Sequence, residues 1–147
     1  MINAHARRLA SQLLADFLEG KITNDEYNDA FPSSPSDMGL DAVYRRIWAY
    51  YSDLHSHYLD RSELSEEDIA LFQRCVEFLK TDLEYEGPPL SLRFPFSKMF
   101  RRLLGGDDAP ETVLGTANLG ASAFFTSHWP FASDAQYQQA LRTARSE

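Results

Sequence analysis

Between Leu40 and Leu83 the apolar residues recur at the spacing of two amphipathic helices. Leu40, Tyr44, Ile47, Tyr51, Leu54 and Tyr58 follow one another at alternating steps of four and three, which stacks their side chains on one helix face. Val43, Trp48 and His55 widen that face, whereas Asp41, Arg45, Arg46 and Asp53 fall outside it. A strand needs an apolar residue at every second position, and this run does not supply one. Ile69, Phe72, Val76, Leu79 and Leu83 form a second stripe of the same rhythm, with Leu71 and Cys75 beside it. Ser65 is a natural N-cap, Asp68 closes a short capping box, and Leu64 and Ile69 can staple across it. Glu66, Glu67 and Asp68 place negative charge on the positive end of that helix. Gly87 can take the left-handed conformation of a C′ residue, and Pro88-Pro89 cannot continue a helix. The Asp60–Leu64 connection is short enough to fold the two helices back on each other. The expectation is a mostly α chain: a compact helical bundle around an antiparallel helix pair, about 40–59 and 66–86, with an irregular C-terminal half containing short helices.

The same signals divide the rest of the chain. Asn3 to Glu19 reads as a first helix, with Ala6, Leu9, Ala10, Leu13, Leu14, Phe17 and Leu18 on its apolar face. Arg7, Arg8, Gln12, Asp16 and Glu19 are placed mostly off that face, and Gly20 is the expected C′ residue. Thr23 and Glu26 make a complete capping box, with Ile22 and Tyr27 as its staple, so a short helix should run to about Ala30 and end at Phe31-Pro32. Ser36 or Asp37 caps the helix that follows. Beyond Pro88 the alternation of Leu90, Leu92, Phe94 and Phe96 fits either a short strand or extended chain, and Pro95 argues for an edge at most. Ser97 can cap a helix to Leu104, Pro110 can open another turn, and Ser133 or Asp134 caps a last helix from Ala135 to about Ala144. Leu114 to Phe125 is rich in small residues without clear periodicity.

At 147 residues a single domain, 1–147, is the default, with a possible sub-boundary near 87–90. One cysteine rules out an internal disulfide, and Cys75 beside an apolar stripe reads as a buried thiol. Met1 to Leu18 is broken by Arg7, Arg8, Gln12 and Asp16 and lacks a secretory apolar core. No run reaches the ~20 apolar residues of a membrane span, so the expected location is cytoplasmic.

The net charge of −8 is uneven: −3 over residues 1–59, −6 over 60–86 and +1 over 87–147. Phosphate contacts need Lys and Arg, so nucleic acid is excluded as the ligand of the acidic segment. That face either solubilises the protein or meets a basic protein surface. The one basic stretch, Arg93 to Leu104, holds Arg93, Lys98, Arg101 and Arg102 among apolar residues. It packs on the acidic helices, touches a partner, or lies on a membrane surface; the first reading needs no further assumption.

Catalytic patterns fail on inspection. His55 and His57, two apart, point about 200° from each other on a regular helix and cannot share an ion from one. No third and fourth metal ligand stands at a suitable spacing, so neither metal nor cofactor is expected. Gly120-Ala121-Ser122-Ala123-Phe124 has Phe where a nucleophile elbow needs Gly. Gly115 to Gly120 has phosphate-loop spacing, but Ala121-Ser122 replaces the Lys-Ser/Thr that reaches the phosphates. The carboxylates lie among other charges, where nothing raises a pKa for general acid work. Tyr50 is off the apolar stripe; it is either an exposed binding residue beside Arg46 and Asp53 or a cover for the flank of the core.

The order Phe17-Leu18-Glu19-Gly20-Lys21-Ile22-Thr23-Asn24-Asp25-Glu26-Tyr27, then Phe31-Pro32, Ile47-Trp48, Tyr51, Phe78-Leu79-Lys80 and Leu83-Glu84-Tyr85, resembles a group of small, acidic, uncharacterised bacterial proteins of immunity-protein type. The likeness covers roughly Met1 to Gly87, with Trp129-Pro130-Phe131 near the end; Pro88 to Phe125 departs from the pattern. It implies a helical fold and a protein partner and carries no catalytic residues. The expected function is therefore that of a non-enzymatic binding protein, an immunity protein neutralising a bacterial toxin that has a basic active-site surface. Glu66, Glu67, Glu77, Asp82, Glu84, Glu86 and Tyr50 are the expected contacts. Two alternatives stand beside it. One is a small enzyme or ligand-binding protein with a pocket between the helix pair and residues 88–125, where His128, Tyr50 and carboxylates would converge. The other is a regulatory homodimer.

Overall fold

The computed structural model describes residues 1–50, 55–87 and 127–145. Among them five α-helices run in order: α1 Ala4–Leu18, α2 Asn24–Ala30, α3 Met38–Ile47, α4 Glu66–Leu79 and α5 Asp134–Ala144. The described residues are mostly helical, as the periodicity leads one to expect. The expected features over Tyr51–Leu54, Leu90–Phe96, Ser97–Leu104, Pro110 and Leu114–Phe125 lie outside the described residues.

Local chemistry sets most of the boundaries. Asn3 caps α1 through its side chain, which accepts from the Ala6 N–H at 3.1 Å. At the other end Gly20 adopts φ +68°; its N–H reaches the Phe17 carbonyl and the Lys21 N–H reaches that of Asp16, a Schellman closure that satisfies two otherwise open carbonyls. The Thr23–Glu26 and Ser65–Asp68 capping boxes are both complete. Asp37, not Ser36, caps α3, and Ser133 caps α5.

The central pairing is α1 with α4, and the two run antiparallel. Arg7 near the start of α1 reaches the Thr81 and Leu83 carbonyls just past α4, Ser11 Oγ donates to the Val76 carbonyl at 3.2 Å, and Phe17 meets Phe72 with ring centroids 6.2 Å apart. α3 touches both more lightly. The α1 face that enters the core is also rotated from the expected one. Arg7 and Ser11 are buried, whereas Leu9 is 44% exposed.

Both helices of the expected 40–59 and 66–86 pair are shorter than their stripes. α3 ends at Ile47 and passes into a 3₁₀ turn over Trp48–Tyr50. Residues 55–58 are non-helical, and Tyr58, 60% exposed, makes an isolated antiparallel bridge with Thr23. The reason is capture by the start of α2. The backbone N–H of the fully buried Asn24 donates to the His57 carbonyl at 3.0 Å, and its Oδ1 accepts from the His57 N–H at 2.7 Å, so those groups are taken out of any helix. Past the end of α4 at Leu79 the Thr81 hydroxyl takes the Phe78 carbonyl at 2.7 Å and Arg7 takes the Thr81 and Leu83 carbonyls. Gly87 therefore does not serve as a C′ residue, and its φ is not positive.

Among the described residues one cluster forms the core. Leu14, Phe17, Leu40, Val43, Ile47, Phe72, Cys75, Phe78 and Leu79 lie at its centre, and Trp129 and Phe131 join it from the C-terminal segment. Phe131 meets Phe78 edge-on at 5.4 Å and Tyr137 of α5 at 5.1 Å. A file of rings, Phe72, Phe17, Tyr27, Phe31, Tyr44 and Trp48, links α4 to α3 through α1 and α2 at centroid spacings between 4.9 and 6.2 Å, a geometry that adds to the burial of each ring.

Candidate interaction surface

The segment after α4 shows how the acidic residues are presented. From Thr81 to Glu86 burial alternates: Thr81, Leu83 and Tyr85 face the protein and Asp82, Glu84 and Glu86 are exposed. An alternating segment of this kind spaces the outward residues by about 7 Å when extended. The inward side is held at both ends. Arg7 Nη1 donates to the Thr81 carbonyl at 3.1 Å and to the Leu83 carbonyl at 2.8 Å. The Tyr85 hydroxyl accepts from Trp129 Nε1 at 3.1 Å, with both side chains buried. Burial raises the Tyr85 pKa, and the Trp129 bond offsets part of that.

The remaining acids sit elsewhere. Glu66 and Glu67 are exposed in the first turn of α4. Glu77 is half-buried and accepts from Lys80 Nζ at 2.9 Å. With fourteen residues in α4, the acidic start of the helix and the 82–86 strap lie about 20 Å apart along its axis. The structure thus divides the expected contacts into two acidic ends and does not gather them into one patch.

Tyr50 belongs to the core flank. Its ring meets Phe72 edge-on at 4.9 Å and its hydroxyl donates to Asp68 Oδ1. Burial first, and then the bond to Asp68, push the phenol well above its ordinary range. The same bond is the main reason the Asp68 carboxyl lies below its ordinary value, with Ser65 adding to it. Tyr50 therefore ties the end of α3 to the N-terminal cap of α4.

The residues that hold the strap were not legible as a site. Arg7 makes a bidentate pair with Asp37, Nε to Oδ2 and Nη2 to Oδ1, both at 2.8 Å, and lies over the Phe78 ring at 4.9 Å. Asp37 also accepts from the Asn3, Gly39 and Leu40 N–H groups. Burial opposes its charge, but the Arg7 bonds and these N–H groups outweigh it, so the carboxyl is lowered. One signal for Arg7 was present: it stands seven residues before Leu14 and eleven before Leu18, in register with both on a helix.

Among the described residues no group of three or more His, Cys, Asp or Glu is placed to hold an ion. Cys75 is fully buried, and burial pushes its thiol up to about 12, which leaves no thiolate nucleophile. His128 is half-exposed, and its carbonyl accepts from the Phe131 N–H at 2.9 Å. A groove of about 440 Å³ lies between α2, the 31–35 loop and α3, with Phe31, Pro32 and Tyr44 among its lining residues. Its polar groups already bond one another: Tyr44 to Asn28 at 2.7 Å and Arg45 to Asp41 at 2.6 Å. The pocket expected against residues 88–125 and the basic stretch Arg93–Leu104 fall outside the described residues. No helix among the described residues is long and apolar enough to cross a membrane.

Comparison with protein-family models, curated proteins and solved structures finds no match for the chain.

Proposed function

We propose that this chain is a non-enzymatic binding protein of immunity type, which neutralises a bacterial toxin in the cytoplasm by covering a basic active-site surface with its acidic strap. The observation that carries the reading is the in-and-out alternation of residues 81–86, which turns Asp82, Glu84 and Glu86 outward from a backbone fixed by Arg7. Charges on a preorganised backbone lose little entropy on binding and steer a basic partner during approach. Glu66 and Glu67, about 20 Å away, form a second and separate contact region, and Tyr50 supports it through Asp68 and not by direct contact.

The test is capture of a partner by the purified chain from lysate of the native host, followed by assay of the captured protein's own activity. The reading expects stoichiometric inhibition, association that slows as salt rises, and loss of both in the triple variant Asp82→Lys, Glu84→Lys, Glu86→Lys. A captured protein whose activity is unchanged by the chain, or one bound equally well by the triple variant, defeats it.

A further inference from the structure

His55 and His57 leave the surface from a short non-helical segment anchored to a buried asparagine. Besides the two backbone bonds to His57, Asn24 donates Nδ2 to the His55 carbonyl at 3.3 Å. The Thr23–Tyr58 bridge extends the attachment by one residue. The rings consequently stand with centroids 5.6 Å apart and planes inclined at 55°, not on opposite sides of a helix. Two imidazoles bound to one ion at roughly 2.0–2.1 Å, with tetrahedral angles, have centroids about 5–6 Å apart.

A second feature concerns orientation. His57 Nδ1 lies 3.4 Å from the His55 carbonyl oxygen. A ring whose Nδ1–H is turned to a backbone carbonyl carries its free lone pair on Nε2, the arrangement that metal-bound histidines adopt. His55 is exposed and His57 half-exposed, so an ion reaches both without opening the fold.

We propose that His55 and His57 form a two-histidine site for a divalent ion that favours imidazole, of the zinc, nickel or copper class, with water in the remaining positions. The ion occupies an open surface site and binds more weakly than in a closed four-ligand centre. It joins two residues whose backbone is already in place, so binding loses little to loop ordering.

Zinc ion alone, titrated calorimetrically at neutral pH into the tag-free full chain, tests the site. The expected result is one ion per chain, with affinity reduced at least about tenfold in His55→Gln and in His57→Gln and unchanged in His5→Gln. Circular dichroism checks that these surface variants remain folded. The absence of one-to-one binding in the parent chain, or unchanged affinity in either His55→Gln or His57→Gln, overturns the proposal.

Discussion

Arg7 and Asp37 face each other through two parallel hydrogen bonds of 2.8 Å, and each side chain is 1% exposed. This one pair joins α1, the cap of α3 and the strap after α4. Removing one partner of such a pair leaves the other charge buried without compensation, which costs about 3–5 kcal/mol. Arg7→Met and Asp37→Ala should each lower stability in urea by that amount at neutral pH. The double variant should lose clearly less than the two single losses combined. A loss under about 1 kcal/mol in either single variant would remove the pair from its central place.

Acid should weaken the fold through the same carboxylate. The Asp37 and Asp68 values are lowered in the folded chain, so between those values and the ordinary aspartate value of 3.8 the unfolded chain binds more protons. The stabilisation is therefore present above pH 3.8 and is lost as pH falls through the lowered folded values. Urea midpoints measured from pH 6 downward should drop steeply below about pH 4. Asp37→Asn, less stable at pH 6, should show a shallower acid slope.

Gly39 is required by proximity. A Cβ placed there would stand 2.7 Å from Arg7 Nη2 and 2.8 Å from the Phe78 ring. The guanidinium is held by four hydrogen bonds and the ring is buried, so neither yields easily. Gly39→Ala, which favours a helix elsewhere, should here destabilise by about 1–3 kcal/mol, read as a lower thermal midpoint.

Tyr27 offers the opposite sign. Its ring is 3% exposed and stacks on Phe17 at 5.0 Å, yet its hydroxyl has no hydrogen-bond partner among the described residues. Burial raises that phenol well above its ordinary value. Tyr27→Phe keeps the ring and removes an unsatisfied polar atom, so thermal unfolding should show an unchanged or higher midpoint, by up to about 1 kcal/mol. A loss of more than that would mean the hydroxyl is bonded in solution.

Cys75 should behave as a reporter of unfolding. With its thiol buried and pushed up to about 12, it should resist a thiol reagent at pH 8 in the native chain and react at once in denaturant. Native labelling should then follow the rate or population of opening. Rapid labelling without denaturant would contradict its position in α4.

The caps and stops were legible because they are decided by neighbours in sequence. Thr23 with Glu26 and Ser65 with Asp68 are capping boxes in any chain that lets the helix form, and Gly20 closes α1 by being free to take φ +68°. The lengths of α3 and the strand-like strap were not legible, because Tyr58 and Leu83 continue their stripes perfectly well in sequence. Remote groups hold the residues beyond: Asn24 keeps His55 and His57 out of a helix, and Arg7 takes the Thr81 and Leu83 carbonyls past α4. The placement of the acidic set was not legible either: on a helix Asp82 and Glu86 would face away from Glu84, and the strap turns all three outward instead.

By itself, then, the sequence determined that the chain is helical, where each helix begins, and which segment carries the negative charge, since capping and amphipathic spacing act within a few residues. Only the tertiary structure decided that α1 is the partner of α4, that Arg7 goes inward, and that Asp82, Glu84 and Glu86 turn out together. Those outcomes depend on hydrogen bonds between residues more than seventy apart in sequence. Once Arg7 is buried with Asp37, it must find carbonyls for its remaining N–H groups, and the chain after Leu79 supplies them by leaving the helix.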